Sequence, residues 1–518
     1  MPLEGNAAQY FVDRHIDEGR GDKIAFREAA GEKRTLTYGV LSYQSACVAS
    51  ALMHAKIHRE ERALMLVLDK IEFPEIFWGC LKSGVIPVPL NTLLSTSVYE
   101  AILNDSRAAC LFVSKELLPV VGPAIEASAY LRKVVVIGDD APKGMEAYSD
   151  FTKECTPAET LNVVGDEIAF WLYSSGTTGL PKGVRHVHDS LKSTSDTYGQ
   201  QVLNIKEDDV VYSVAKIFFA YGLGNAMTFP MSVGATTVLF EGRPTPAVSV
   251  EIIQTERPTV FCGVPTLYAA IIDHIESGDR RPDSNLRTCI SAGEALPEEI
   301  GKRWYDIWGA HILDGVGSTE MLHIFLSNSN DDVIYGTSGT AVPGYDLRLV
   351  DDTGKDVVST NEIGELLVRG ASAADGYWNQ RNKSRATFEG EWTRTGDKYE
   401  LTEDGRYIYC GRTDDMFKVS GIWVSPFEVE QALASHPAIL EAAVVSARDD
   451  QGLEKPMAYA VLKSAQDNDV LQSELKEYVK EKVGKWKYPR WIKIVPDLPK
   501  TATGKIQRFK LRAGNEYV

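Results

Sequence analysis

The sequence predicts an α/β protein with a large, layered amino-terminal part and a small α+β carboxyl-terminal domain. Three observations predict it. Short apolar runs alternate with helix-length segments through most of the first four hundred residues. From about Gly336 to Arg369 strands and turns replace that texture, as in a small β-rich subdomain. The last hundred residues carry helix and strand signals of their own. At 518 residues the chain exceeds what one hydrophobic core organises, so it must divide into domains.

The runs Ala63 to Leu68, Val85 to Leu90, Val134 to Ile137, Thr237 to Phe240 and Thr259 to Cys262 read as buried strands. Helical segments between them predict mainly parallel pairing. Ile168 to Leu172 is a further buried strand, and it breaks abruptly into glycine and hydroxyl residues. Leu347 to Val350 and Glu365 to Val368 are strands of the β-rich subdomain. Beyond it, Ser425-Pro426 caps a helix running to about Ser435. Ala442 to Val445 and Ala458 to Val461 follow as strands. Ser473 is placed to cap a second helix, with Leu475, Tyr478, Val479 and Val483 on one face and Gly484 as its stop. The expected domains are residues 1–413 and 414–518.

The net charge of −17, from 55 basic and 72 acidic residues without a basic tract, argues against a nucleic-acid partner. It does not argue against ATP, which local loops bind whatever the global charge. No apolar run reaches the roughly 18 residues that a membrane span needs. The start, Met-Pro-Leu-Glu-Gly-Asn, has neither a basic opening nor a signal core, so a cytoplasmic location is expected. Cys47, Cys80, Cys110, Cys155, Cys262, Cys289 and Cys410 are scattered, odd in number and free of C-x-x-C pairs. Neither a zinc site nor a disulfide framework is expected, and most should be buried small hydrophobes.

The most informative stretch is residues 173–184, Tyr-Ser-Ser-Gly-Thr-Thr-Gly-Leu-Pro-Lys-Gly-Val. Ser174, Ser175, Gly176, Thr177 and Thr178 can turn backbone N–H groups and hydroxyls toward one point, and Lys182 adds a positive charge. Such a loop grips the β- and γ-phosphates of ATP. It is not a Walker loop, because Pro181 precedes Lys182 and Gly183 replaces the metal-binding hydroxyl.

Asp314-Gly-Val-Gly-Ser-Thr-Glu320 sets small residues beside carboxylates. The small residues, Gly315 among them, let a flat ring approach the backbone beside the Asp314 carboxylate, Thr319 supplies a hydroxyl, and Glu320 suits Mg²⁺ held through water. Gly293, Glu294 and Ala295, in Ser291 to Ala295, form a second small stretch for a nucleobase. Asp397, in Thr395-Gly-Asp397, and Arg412, in Gly411 to Asp414, suit ribose hydroxyls and an α-phosphate. Lys505, in the polar tail loop, is a cation suited to developing negative charge. Singly, each has an ordinary role as turn residue, helix cap, surface ion pair or solvated lysine. Their joint order carries the reading.

That order resembles the adenylate-forming superfamily of acyl-CoA synthetases, peptide-synthetase adenylation domains and firefly luciferase, over nearly the whole chain. Tyr173 to Val184 is similar to its phosphate-loop signature, and Gly315 to Glu320 to its Tyr-Gly-x-Thr-Glu motif without the tyrosine. Thr395 to Asp397, Gly411 to Gly421 and Pro499 to Lys505 match later motifs. The resemblance implies ribose contacts for Asp397 and Arg412, magnesium at Glu320, the adenylation lysine at Lys505 and a domain hinge at Asp414. It also implies a homodimer.

Phe218 to Asn225, Gly317 to Asn328 and Asp414 to Gly421 look most like the benzoate- and hydroxybenzoate-activating CoA ligases. That resemblance implies an acid pocket of Ala220, Tyr221, Gly317, His323 and Ile324. Tyr221 and Ile324 would be flat walls, and the glycine would leave room for a ring. Tyr198 and Tyr212 are read as packing. The polar partner of a ring hydroxyl stays open among His323, Ser327 and Ser329.

The implied chemistry has two steps. A carboxylate attacks the α-phosphate of MgATP, giving acyl-adenylate and pyrophosphate, and CoA thiolate then displaces AMP. Lys418, Ser420 and Gly421 would line the thiol tunnel. Trp486 would stack on the CoA adenine, core packing being its other reading. Acetylation of Lys505 by a lysine acetyltransferase would silence the first step. The alternatives are another small-acid CoA ligase (aminobenzoate, 4-coumarate or medium-chain fatty acid) and a catalytically dead nucleotide or CoA-ester sensor. Lys182, Glu320, Asp397, Arg412 and Lys505 are all present, which argues against the sensor. Ala215-Lys216-Ile217-Phe218 lacks the acidic residue that an amino-acid activator needs.

Overall fold

A computed structural model describes residues 5–153, 155–174, 181–278, 283–360, 362–419, 422–450, 452–463, 469–500 and 506–512. The chain forms two compact units, Met1–Asp346 with Val368–Thr393, and Leu347–Leu367 with Arg394–Val518.

In the first unit the predicted apolar runs are parallel strands of two sheets. One sheet has nine strands, with a parallel centre in the order Ile312–Gly317, Thr288–Ser291, Val260–Gly263, Val210–Ser213, Thr236–Leu239, Ile24–Glu28. Antiparallel strands close its edges, Ile324–Ser327 and Thr340–Ala341 on one side and Thr35–Thr37 on the other. The second sheet pairs Ile86–Pro89, Arg62–Leu66, Cys110–Ser114, Lys133–Ile137 and Glu146–Ala147, all parallel. Parallel neighbours need long crossovers, and helices such as Glu72–Ser83, Pro246–Glu256 and Pro265–Glu276 supply them.

The third sheet positions the site. Ile168–Ser174 and Lys182–Val187 form an antiparallel pair, and Gly376–Tyr377 adds to the outer side of the second strand. The register sets Ser174 opposite Lys182, so the residues flanking the phosphate loop face each other. One continuous core containing Phe26, Trp78, Phe112, Phe170 and Leu239 reaches strands of all three sheets. The loop ends are therefore anchored on a rigid base.

In the second unit the β-rich texture extends beyond the predicted residue 369. Strands Asp346–Val350, Ile363–Arg369 and Trp392–Leu401 are neighbours, and Tyr407–Arg412 pairs with the last of them. Further on, Ile439–Arg448 and Glu454–Leu462 are antiparallel, and Trp491–Ile494 runs parallel to the latter. The helix Pro426–Ala434 starts as predicted, the Ser425 side chain accepting from the Glu428 N–H. Ser473 is not a cap. The second helix begins earlier, at Asp469, because Leu471 also packs on the core and extends the apolar face upstream. Gly484, at φ +90°, ends it as expected.

The cysteine reading needs one correction. Cys47, in the helix Tyr38–His54, is disulfide-bonded to Cys155 across 108 residues. Spacing along the chain cannot reveal a pair that only tertiary packing brings together. Cys80, Cys110, Cys262, Cys289 and Cys410 are free and buried, as expected. Among the described residues no helix is long and apolar enough to cross a membrane.

Candidate functional site

In open α/β sheets, ligands bind beyond the carboxyl ends of the strands. Here Gly263 and Ser291 end two adjacent parallel strands, and Asp314 stands in the same row of the next, Ile312–Gly317. The Ser291 hydroxyl and Asp314 Oδ1 are buried without hydrogen-bond partners. Burial drives the Asp314 carboxyl well above its ordinary range, against a bond from the Leu296 backbone. Next to it, the Ser291 to Ala295 stretch leaves the sheet with Gly293 exposed at φ +97°.

Past the strand Ile312–Gly317 the chain reverses tightly. Leu322 takes φ +65°, a region that non-glycine residues rarely occupy and that clusters at functional sites. This turn presents Glu320 to Lys182. The Lys182 Nζ donates to Glu320 Oε1 at 2.7 Å and to the Tyr377 hydroxyl at 2.8 Å, and that hydroxyl donates to the same Oε1 at 2.8 Å. Lys182 and Glu320 are only 12% and 15% exposed. Burial pushes the Glu320 carboxyl up, but the Lys182 charge and these bonds outweigh it and hold it below its ordinary value. His186 ties the hairpin to the same turn, its Nε2 donating to the Thr319 carbonyl at 2.8 Å. Desolvation lowers His186 to about 4, so it is neutral.

The five expected pocket residues cluster beside this turn. The Tyr221 hydroxyl reaches the Gly263 and Ile290 carbonyls at 3.1 and 3.0 Å, laying its ring along the carboxyl edge of the sheet. Ala220 precedes it at the start of the same short helix, half-buried. The His323 Nε2 donates to the Tyr221 carbonyl at 3.2 Å, and its ring lies against those of Tyr221, Phe229 and Tyr198. Burial lowers His323 to about 3, and its Nδ1 is a buried acceptor without a partner. Ile324 is buried at the start of the neighbouring strand.

Gly317 is present for a different reason from the one expected. A Cβ there would lie 2.6 Å from the His323 carbonyl oxygen, so backbone already fills the space that a ring was expected to use.

In the second unit, the Arg412 Nη1 donates to Asp397 Oδ1 at 2.9 Å and to the Thr395 carbonyl at 3.0 Å. Gly396 sits between at φ +72°, and a Cβ there would lie 2.8 Å from Arg412 Nη2. The Asp397 charge raises Arg412 further above its ordinary value. Asp414 is exposed in a turn, its carbonyl accepting from Arg512 at 3.2 Å. Lys418 is exposed, and Trp486 is 53% exposed rather than packed in a core. Ser175, Gly176, Thr177, Thr178, Ser420, Gly421 and Lys505 lie outside the described residues.

Residues 13–378 match the family described as AMP-binding enzyme, and residues 428–505 match the AMP-binding enzyme C-terminal domain. The chain belongs to the AMP-binding enzyme family. A 4-hydroxybenzoate–CoA/benzoate–CoA ligase of Rhodopseudomonas palustris is 50% identical, over 99% of this chain and 95% of its own. A benzoate–CoA ligase of Thauera aromatica is 48% identical, over 99% and 97%. Among solved structures, a benzoate CoA ligase from Burkholderia xenovorans LB400 is similar with a TM-score of 0.89 and 46% identity, over 98% of this chain and 99% of its own. The anthranilate CoA ligase AuaEII, in complex with anthranoyl-AMP, has a TM-score of 0.92 and 41% identity, over 99% and 98%.

One residue of this AMP-binding enzyme escaped the sequence reading. Tyr377 closes the Lys182–Glu320 contact from a distant strand, and nothing local in Gly376-Tyr377-Trp378 signals that. Tyr198 packs, as read: it is fully buried, its ring centroid 6.0 Å from that of Phe229 and 5.4 Å from that of His323. Its segment, Ser195–Val202, is a π-helix, a form frequent at functional sites. Tyr212 also packs, against Phe261. Ser329 forms a backbone bridge with Asp332 in a turn, and His323 and Ser327 are both buried.

Proposed function

We propose that this protein is an ATP-dependent ligase that converts benzoate or a hydroxybenzoate to its CoA thioester through an acyl-adenylate, releasing AMP and diphosphate. The observation that carries the reading is the aromatic cluster of Tyr221, His323 and Tyr198, one turn along the chain from the buried Lys182–Glu320 pair. It supports a seat for a flat ring close to a seat for phosphate. The names of the relatives at half identity over the full length support the same substrate class.

The reacting carboxylate and ATP are both anions, so charge neutralisation dominates the first step. Lys182 faces the phosphates at the end of their loop, and Lys505 meets the charge developing at the attacked phosphorus. Asp397 and Arg412 hold the ribose, and the Gly293 to Ala295 stretch flanks the base. The cluster orients the ring, with neutral His323 offering Nδ1 to a ring hydroxyl. Among the described residues no three His, Cys, Asp or Glu side chains gather into a metal cage. A lone Glu320 fits Mg²⁺, which takes its remaining ligands from water and phosphate. When bound, Mg²⁺ supplies Lewis-acid polarisation of phosphoryl oxygens. For the second step, Asp414 is the hinge between domains 1–413 and 414–518, bringing in Lys418, Ser420 and Gly421 for the thiol, and exposed Trp486 stacks on the CoA adenine.

ATP- and CoA-dependent AMP release with benzoate, 2-, 3- and 4-hydroxybenzoate, 2-aminobenzoate, 4-coumarate and hexanoate tests this. Benzoate or a hydroxybenzoate turns over fastest. A maximum on hexanoate or coumarate keeps the chemistry and discards the aryl pocket.

A further inference from the structure

A tyrosine placed only to fill a core would need no hydroxyl. Tyr377 is 4% exposed, yet its hydroxyl lies inside the charge pair, 2.8 Å from both Lys182 Nζ and Glu320 Oε1. The Tyr377 hydroxyl also lies 3.4 Å from the Thr387 hydroxyl, but the Glu320 carboxylate, closer and charged, is the better acceptor. Lys182 has protons for both oxygens, the Tyr377 oxygen accepts one, and its single proton goes to Glu320. Both donors land on the same carboxylate oxygen. The tyrosine ring adds a second hold on the cation, with Lys182 Nζ 4.1 Å from its centroid.

The backbone around Tyr377 is fastened to the strand that carries Lys182. Tyr377 pairs with Val184, and the Trp378 N–H donates to the Gly183 carbonyl at 2.8 Å. The Ser384 hydroxyl accepts from the Tyr377 N–H at 3.0 Å, and Trp378 Nε1 donates to the Asp105 carbonyl at 2.9 Å. Tyr377 and Lys182 therefore move as one piece.

Lys182 spends two of its three N–H donors on Glu320 and Tyr377, and both bonds to Glu320 land on Oε1. One N–H and the second carboxylate oxygen remain for a nucleotide and its cation, provided that the pair is held in place. A buried carboxylate stripped of its counter-charge carries a large desolvation penalty. We propose that Tyr377 is a positioning residue for adenylation: its hydroxyl and ring hold the Glu320 carboxylate and the Lys182 ammonium together, so that the third N–H of the lysine and the second oxygen of the carboxylate are presented to MgATP. The hydroxyl keeps Glu320 aimed, and the ring keeps the ammonium in place. No proton changes owner. This inference rests on the ligase reading above and deepens it.

The test is Tyr377→Phe in the full-length protein, which keeps the ring and the packing. Calorimetric MgATP affinity weakens by about tenfold, as for loss of one hydrogen bond to a charged group. The adenylation kcat falls by about tenfold too, while the KM for aryl acid and the rate of thioester formation from supplied aryl-adenylate stay within about twofold. Because the effect passes through Lys182, Tyr377→Phe adds little in a Lys182→Ala background. Unchanged MgATP affinity, or full additivity with Lys182→Ala, overturns the proposal. So does an equal loss in both half-reactions, which marks a merely structural role. If no aryl acid is adenylated by the wild type, but MgATP affinity still responds to Tyr377→Phe, the substrate reading fails and this inference stands.

Discussion

The two units of this chain each pair a carboxylate with a cation at a position proposed to hold ATP, and they differ in how far the cation is enclosed. Lys182 and Glu320 are nearly buried, and a third group closes their contact. Asp397 and Arg412 make a similar contact at 2.9 Å, but only the carboxylate is enclosed: the aspartate side chain is 16% exposed and the arginine 43%. Breaking a buried pair leaves an uncompensated charge, at a cost of several kcal/mol. An exposed pair is screened and contributes little. The same two charges are thus part of the fold in one unit and available surface chemistry in the other. The difference teaches that one pair is held rigidly by its surroundings, as the proposed phosphate role asks, whereas the other, proposed for the ribose, has only to be reachable.

The sharpest way to break this comparison is Glu320→Gln. It strands the Lys182 charge in a buried setting and removes the one carboxylate of the cluster. Unfolding stability drops by about 3 kcal/mol, and aryl-acid-dependent ATP–pyrophosphate exchange falls by hundreds-fold, roughly the loss for one preorganised electrostatic group. Wild-type stability together with near-normal exchange refutes the buried-pair account.

The next effect is a pH dependence seated in the first unit. Desolvation lowers buried His186 from 6.5 to about 4, so the unfolded chain takes up its proton more readily than the folded one. The contribution is fully present above pH 6.5 and is lost as pH falls toward 4. His186→Gln removes the titration and retains an N–H for the Thr319 carbonyl. Between pH 7 and pH 4 the wild type loses about 3 kcal/mol more stability than this variant. Parallel unfolding curves at the two pH values contradict the assignment. Measuring the difference between the two proteins matters, because burial also raises Asp69 to about 6 and Glu75 to about 8. Those acids favour the folded state at low pH and work against the histidine in any single profile.

The smallest structural effect belongs to Asp397→Asn. With its partner exposed, the stability change stays under about 1 kcal/mol. The KM for ATP nevertheless rises by about tenfold, the scale of one hydrogen bond to a charged group. A stability loss as large as that of Glu320→Gln would erase the distinction between the units.

How much of this was legible depends on the range of the signal. The parallel strands were, because Ala63 to Leu68 and its counterparts are apolar runs of strand length flanked by helical segments, all local properties. The strand leading into the phosphate loop was too, since Ile168 to Leu172 ends abruptly in glycine and hydroxyl residues. Ser425 and Gly484 acted as read, because a cap and a left-handed stop depend on a few neighbours. Ser473 misled, because Leu471 gains burial that only the folded core offers. Gly317 pointed to the right turn for the wrong reason, because a missing Cβ looks the same whether ligand or backbone takes the space.

By itself, the sequence determined the layered α/β class, the order of the nucleotide-handling motifs and the aryl-activating resemblance. These rest on periodicity, turn chemistry and residue identity, which act over a few neighbours. Only the tertiary structure decided that Cys47 meets Cys155, that Tyr198 lies beside His323, and that Tyr377 closes a charge pair from 195 residues beyond Lys182. Contacts between distant segments are fixed by sheet order and by burial of a shared core, and no local pattern records which strand ends will converge.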